Sequence, residues 1–498
     1  MHEHSKNLYQ MKIHFKNITC LFISILFLLI ILFSFTEFIN AQEKIELKNA
    51  DELKGSMING ESVREASGNV EFTQGNVKVL CNSATQFIMT NIVELRGNVQ
   101  IYQDTLTLLT SKATYFGNEK KAICEGGVTL KDPNATVRAD YGTYFFDEGK
   151  AVFKGDVIII NPDYRITSSE LTYLRNTEDS FAEGNVVVTT DSAVIKADKI
   201  DFFKNAGRTF ARGNVNIESD STIITSDTAT NYSIEKKSVA SGNVKIVSQN
   251  NNSVVFGDYL ENFETENFTI LNNNTGLIQI EDNENTDTLF IYSDTMKAYR
   301  NKPDYYVAEG NVEIIRNDFL AKCGTGIYYK EMETVSLSVK PVIWQDKQQM
   351  TGDSIYAELP GKKIRNIYSR KINEMPGSVP SFVVSENADI YFQDRYDQIR
   401  GDNITMKFLD EKINEIDVEN NSSSVYFSYE NDKANGANKI EGNNIIIYFD
   451  EEEKISRIKI DTDPKGEYIP ESILNTVSLI LPGFEIEENK PERRALKF

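Results

Sequence analysis

The chain has 498 residues and a formal net charge of −21, with 53 Lys and Arg against 74 Asp and Glu. That acidity argues against a nucleic-acid partner, whose phosphates it would repel. Many serines, asparagines and β-branched residues beside only 11 prolines suit an all-β chain with many turns.

The N-terminus reads as a targeting segment. Lys6, Lys12 and Lys16 precede an apolar run from Ile18 to Phe35, and Ala41 closes a cleavage site before Gln42. This is the basic, apolar, small-residue order of a secretory signal peptide over 1–41. The run is also long enough for an uncleaved single-span anchor. Either way the body of the chain is exported. Cleavage would remove His2, His4 and His14, the only histidines, together with Cys20. The remaining Cys81, Cys124 and Cys323 are odd in number and make a poor disulfide framework. Cys124 reads as a small buried apolar residue.

From Ala66 to Ile246 one pattern returns every 29 residues, at Gly68, Gly97, Gly126, Gly155, Gly184, Gly213 and Gly242. Such a period marks a stack of repeats. Two residues after each glycine stands a valine: Val70, Val99, Val128, Val157, Val186, Val215 and Val244. Two further on stands Phe72, Ile101, Leu130, Ile159, Val188, Ile217 or Ile246, and Ala66, Leu95, Cys124, Phe153, Ala182, Ala211 or Ala240 lies two before. Strand side chains alternate, so all these positions share one face. A hairpin turning at Gly97–Asn98 would pair Arg96 with Val99 and put charge on that face. One strand bent at the glycine does not.

Two more strands are expected in each repeat. One carries Val79, Leu108, Val137, Ile166, Ile195 and Ile224; the other carries Phe87, Phe116, Phe145, Leu174, Phe203 and Tyr232. Asn82, Ser111, Asp140, Ser169, Asp198 and Asp227 read as the turns between them. After Gly242 the spacing lengthens to 34 residues, giving Gly276–Ile278–Ile280 and Gly310–Val312–Ile314 as the next faces. Val342–Trp344 follows, with Lys340 in the glycine position. Gly352-Asp353, Gly401-Asp402 and Gly442-Asn443 then mark a variant unit, each ahead of a Lys-Ile-x-x-Ile strand. The domains expected are repeats over 42–370, a variant region over 382–470 and a charged tail over 471–498, the last ordered only locally.

No catalytic constellation emerges. Without histidine there is no Ser-His-Asp or Cys-His arrangement and no histidine-containing metal site. Asp140, Asp198 and Asp227 recur in register, as turn residues do, which argues against an acid–base pair. No cofactor or metal is called for. What repetition builds is a long apolar face, used either as a closed core or as a slot for an apolar guest.

The recurring Ala-x-Gly-Asn-Val, as in Ala211–Val215 and Ala240–Val244, resembles the OstA-like family of lipopolysaccharide-transport proteins. Ser226-Asp-Thr-Ala229, Ser293-Asp-Thr-Met296 and the unit Ile399–Asn403 followed by Lys412–Ile416 are similar too. The resemblance covers most of residues 60–460. It implies an elongated open β-jellyroll of stacked repeats in the periplasm, non-enzymatic, reaching toward the outer membrane. The listed valines and the partners at Phe72, Ile101, Leu130, Ile159, Val188, Ile217 and Ile246 would then line a lipid slot. Implied partners are lipopolysaccharide or a related glycolipid, and other jellyroll transport proteins joined head to tail. An exported parallel β-helix acting on polysaccharide is the competing reading.

Overall fold

The computed structural model describes residues 43–495, except 134, 282–286, 318, 346, 373–375, 387–394 and 431–432. The expected targeting segment lies outside the described residues. The chain forms two compact units: one runs to Val128 and includes Phe145–Asp147, and the other holds Thr129–Tyr144 and Glu148 onward.

Each unit is a ladder of bent antiparallel strands. In the first, Glu61–Gln74, Val77–Phe87, Ile92–Gln103 and Leu106–Phe116 follow one another as hairpins. The second continues in the same way, for example through Ala193–Phe203, Arg208–Ser219, Thr222–Tyr232 and Lys237–Ser248. Antiparallel pairing of this kind is incompatible with a parallel β-helix.

The long strands of the repeats bend at their middles, and the cause is local. Arg96 pairs with Lys112 and Val99 with Thr110, so Gly97 and Asn98 together oppose the single residue Ser111. This is a bulge, and it turns the strand into two arms. Both bulge residues are left-handed: Gly213 has φ +74° and Asn214 +49°. A Cβ on Gly213 would also lie 2.3 Å from Asp198 Oδ2 on the preceding strand. Asn214 Nδ2 donates to that same carboxylate at 3.0 Å. Asn243 does so to Asp227 and Asn311 to Asp294. Glycine therefore serves conformation and space together, while asparagine accepts the second left-handed position and fastens the corner.

This geometry corrects several expectations. The period is built of two bent strands, not three, with the second broken at Asp140 into Ala135–Ala139 and Tyr141–Phe145 in one repeat. Asn82, Asp198 and their equivalents are not hairpin turns; they face the glycine corner, mid-strand except for Asp140, which sits at a strand break. Gly276 is not a corner, because Asn273 (φ 62°) and Asn274 (φ 51°) take that role. The shift between Asn272 and Thr275 then leaves Leu277 inward, paired with Val255, and turns Ile278 and Ile280 outward. Likewise Val339 and Lys340 form a corner at φ 64° and 54°, so Ile343 faces inward and not Val342 or Trp344. The variant Gly-Asp pair is the acceptor side of a corner, since Asn421 donates to Asp402 at 2.7 Å.

The tail after the short helix Glu471–Thr476 is irregular, yet it is held. Leu474 and Leu481 pack with Phe382, Val384, Val425 and Phe427 on the outer face of the second unit. Buried Gln398 brackets the tail backbone, donating to Leu479 O and accepting from Leu481 N. Gln349 does the same with Glu485 O and Glu487 N. Arg494 completes the strap with an ion pair to Glu313 at 2.7 Å.

Candidate functional site

The two arms of each strand enclose an apolar interior, with the corners at its apex and the hairpin turns at its two lips. In the first unit this interior is shut. Phe72, Val79, Ile101 and Leu108 form one cross-strand row and are all buried. The opposite arm meets them, with the Tyr115 ring edge-on to Phe72 at 5.7 Å. The lips are also joined. Gln74 Nε2 donates to Glu43 O at 2.6 Å and to Gly117 O at 2.9 Å, and Tyr115 donates its hydroxyl proton to Gln74 Oε1 at 2.7 Å. Gln103 Nε2 reaches Phe146 O at 3.1 Å in the next period. A buried amide with each hydrogen bond made is stable there, and it leaves no opening.

The second unit begins in the same way and then changes. Val137, Ile159, Ile166 and Val188 are joined in register and buried. The row continues through Ile195, Ile217, Ile224 and Ile246 into Val255, Leu277, Ile291 and Ile314. All eight of these are only half-buried. Beyond them Ala321, Ile343, Met350 and Val383 are buried again. At about 4.8 Å per strand, the half-exposed stretch is roughly 34 Å long.

Lip-to-lip contacts stand at both ends of this window. At its start Asp132 lies 4.0 Å from Arg175, and the Tyr164 ring stacks on Phe202 at 6.3 Å. A small cavity lined by Leu130, Val137, Ile159, Tyr164, Leu171 and Tyr173 sits just ahead, where the arms begin to part. Burial pushes the Tyr173 hydroxyl up to about 12, helped by the Asp132 charge. At the far end Arg316 donates to Lys362 O at 3.2 Å.

The residues expected to line a lipid slot divide accordingly. Val70, Phe72, Val99, Ile101, Val128, Leu130, Val157, Ile159, Val186, Val188, Val215 and Val244 all face inward, but they are fully buried. Only Ile217 and Ile246 stand in the half-exposed row. Ile195, Ile224, Val255, Leu277, Ile291 and Ile314 complete it and were not among the expected lining residues. Their signal was the change from large or amide side chains at the lips to short hydroxyls.

Burial raises the thiols of Cys81 to about 11 and of Cys124 and Cys323 to about 12, so none is poised as a nucleophile. Among the described residues no group of three His, Cys, Asp or Glu is placed to hold a metal ion.

Residues 42–198 match the family model for OstA-like proteins, and residues 165–360 match that for the LptA/LptD N-terminal domain LPS transport proteins. No curated protein matches the chain. Among solved structures it is similar to LptH, described as the LptA homologous periplasmic component of the lipopolysaccharide transport device from Pseudomonas aeruginosa. That likeness has 13% identity and a TM-score of 0.16, covering 30% of this chain and 82% of the other. The two family matches overlap and together run from residue 42 to residue 360, and the chain belongs to the OstA-like family of lipopolysaccharide-transport proteins.

Proposed function

We propose that this chain shields the acyl chains of lipopolysaccharide, or of a related glycolipid, in the window between Ile195 and Ile314. The observation that carries this is the half-exposed apolar row itself, set between lips that touch on either side of it. Each methylene left in water costs about 0.8 kcal/mol, so a chain of about a dozen carbons costs on the order of 10 kcal/mol to expose. An apolar floor removes that cost without any reacting group, and the role is non-enzymatic. The chain acts in the periplasm and reaches toward the outer membrane.

Partners join it head to tail. The first strands, Glu46–Asn49 and Glu52–Ile58, present Leu47 and Leu53 on the interior face, 45% and 57% exposed, opposite Phe72 and Ala66. An apolar strand edge of this kind invites a strand from another jellyroll protein. The variant repeats over 382–470 serve as a separate closing region.

A photo-crosslinking residue placed in cells at Ile217, Ile246, Ile101 and Asn216 tests the reading. Ile217 and Ile246 should capture a glycolipid. Ile101, in the shut interior, and Asn216, on the outer face, should not. Equal capture at all four sites would reduce the signal to nonspecific membrane contact and remove the proposal.

A further inference from the structure

The lips of the window carry a chemical signature of their own. On the arm after the corner, the inward positions beyond the apolar row from Ile217 to Leu277 are Ser219, Thr222, Ser248, Ser253 and Gln279; Ser219 donates to Thr222 O at 3.2 Å, the others pair in register, and Leu289 and Arg316 follow at the far end. On the other arm Asn231, Ser238, Asn262 and Thr269 hold the matching inward places. In the shut first unit the same repeat positions are Gln103 and Leu106 on one arm, Val93 and Tyr115 on the other. Large groups that seal the lips are thus replaced by short hydroxyls and amides.

These side chains form their own ladder of hydrogen bonds. Asn231 Nδ2 donates to Ser238 Oγ at 3.0 Å, and Thr269 donates its hydroxyl proton to Asn262 Oδ1 at 2.8 Å. Most cations of these strands are turned away, and Arg316, at the far end of the window, donates across the lips to Lys362 O. Lys196 pairs with Glu218, Lys237 with Glu261 and Lys297 with Glu309 on the outer face. Arg300 stands at the lip, but its two terminal nitrogens are engaged by Thr269 at 2.6 Å and Asn262 at 2.8 Å. A phosphate accepts hydrogen bonds and is held best by cations, above all by a free guanidinium fork. Hydroxyls and amides both donate and accept, as sugar hydroxyls and hydroxylated acyl chains do.

We infer that the window selects a lipid whose polar part at the lips is uncharged and rich in hydroxyls, and that any phosphates of the guest stay in water. The inference rests on the lipid-shielding reading above. It also removes a conflict, because a chain of charge −21 would otherwise have to draw an anionic headgroup into its lips.

Two probes separate the possibilities: an acylated glucosamine disaccharide carrying two phosphates, and the same molecule with both phosphates removed. Each competes with a fluorescent fatty acid for the purified mature chain at low and at high salt. The inference requires affinities within about threefold of one another and nearly flat with salt, because no lip cation is neutralised on binding. It is overturned by a preference of tenfold or more for the phosphorylated probe that fades with salt and disappears in Arg300→Gln. A double variant, Ser248→Lys with Ser253→Lys, should create such a preference; indifference to phosphate in that variant would mean that the lips do not meet the headgroup, and would also overturn it. If neither probe displaces the fatty acid and Ile217 captures no lipid in cells, the shielding reading itself falls. Binding with a strong phosphate preference removes only the present inference.

Discussion

Ile101 and Ile217 hold the same place in the same repeat, four periods apart, and they meet different surroundings. Ile101 is packed between Val79 and Leu108, beneath lips that Gln74 and Gln103 tie shut. Ile217 is packed between Ile195 and Ile224, beneath lips of serine, threonine and asparagine. The corners behind the two are built alike. What differs is the outermost inward residue on each arm, and with it the choice between core and slot. The 29-residue repeat fixes the arms; the lips decide whether they close.

The sharpest way to break this comparison is to truncate both isoleucines. Ile101→Ala should cost about 2–5 kcal/mol, the range for a fully buried aliphatic side chain. Ile217→Ala should cost roughly 1 kcal/mol in the lipid-free protein, since water already reaches part of that side chain. Urea titration of both variants decides it. Equal losses of stability would mean that Ile217 is core, and the window would close with that result.

Thiol reactivity gives the next largest contrast. Cys81, Cys124 and Cys323 are buried, with thiols raised to about 11 or 12. A cysteine placed at Ile246 faces the window. At mildly alkaline pH it should react with a disulfide reagent about 100-fold faster than the three native thiols, which hold far less thiolate. Added lipid should slow the new cysteine and leave the others unchanged. Rapid labelling of a native cysteine in the folded protein would contradict the shut sections.

Much of this was legible in the sequence, because the period of 29 residues, the parity of Val215 and Ile217 and the bent-strand reading of the glycine all depend on local rules. The fold class followed from them, and so did the inward face. The failures have separate causes. A corner needs two left-handed residues, and the sequence was read as though it needed a glycine. Asn273–Asn274 and Val339–Lys340 meet the conformational demand without one, so the expected corners at Gly276 and Lys340 fall an odd number of residues late and flip the face. Asp198 and its equivalents were taken for turn residues because their partner, a glycine on the next strand, is not visible along the chain. Openness was not legible from the apolar positions at all, since Ile101 and Ile217 are the same residue type. It is written in Gln103 against Ser219, and its meaning depends on what the opposite lip supplies.

Corner substitutions should sharpen the comparison by showing no difference. An added Cβ would meet Asn82 Nδ2 at 2.7 Å at Gly97 and Asp198 Oδ2 at 2.3 Å at Gly213. Both positions also require positive φ. Gly97→Ala and Gly213→Ala should each cost about 1–2 kcal/mol, in the shut and the open section alike. Thermal unfolding of the pair is the measurement. A large loss at one site and none at the other would show that the corner is not a common frame.

A last contrast concerns how dry a shut section is. Asp397 lies on the inward face of the strand Tyr396–Gly401, paired with Ser385 and two residues from Ile399. Phe427 N donates to its Oδ1 at 2.9 Å. Burial nonetheless pushes its carboxyl from 3.8 up to about 7, because that one hydrogen bond does not replace the water lost. Its folded value therefore lies above its unfolded one, and the native state holds an extra proton between roughly pH 4 and pH 7. The contribution of this group is fully present below about pH 4 and is lost as pH rises through 7, with a slope of at most about 1.4 kcal/mol per pH unit. Asp397→Asn keeps an oxygen for Phe427 N and cannot ionise. The variant should match the parent at the acidic end and gain on it steadily toward pH 8 in chemical denaturation. If the two profiles stay parallel across that range, water reaches Asp397, and the C-terminal section is as open as the window.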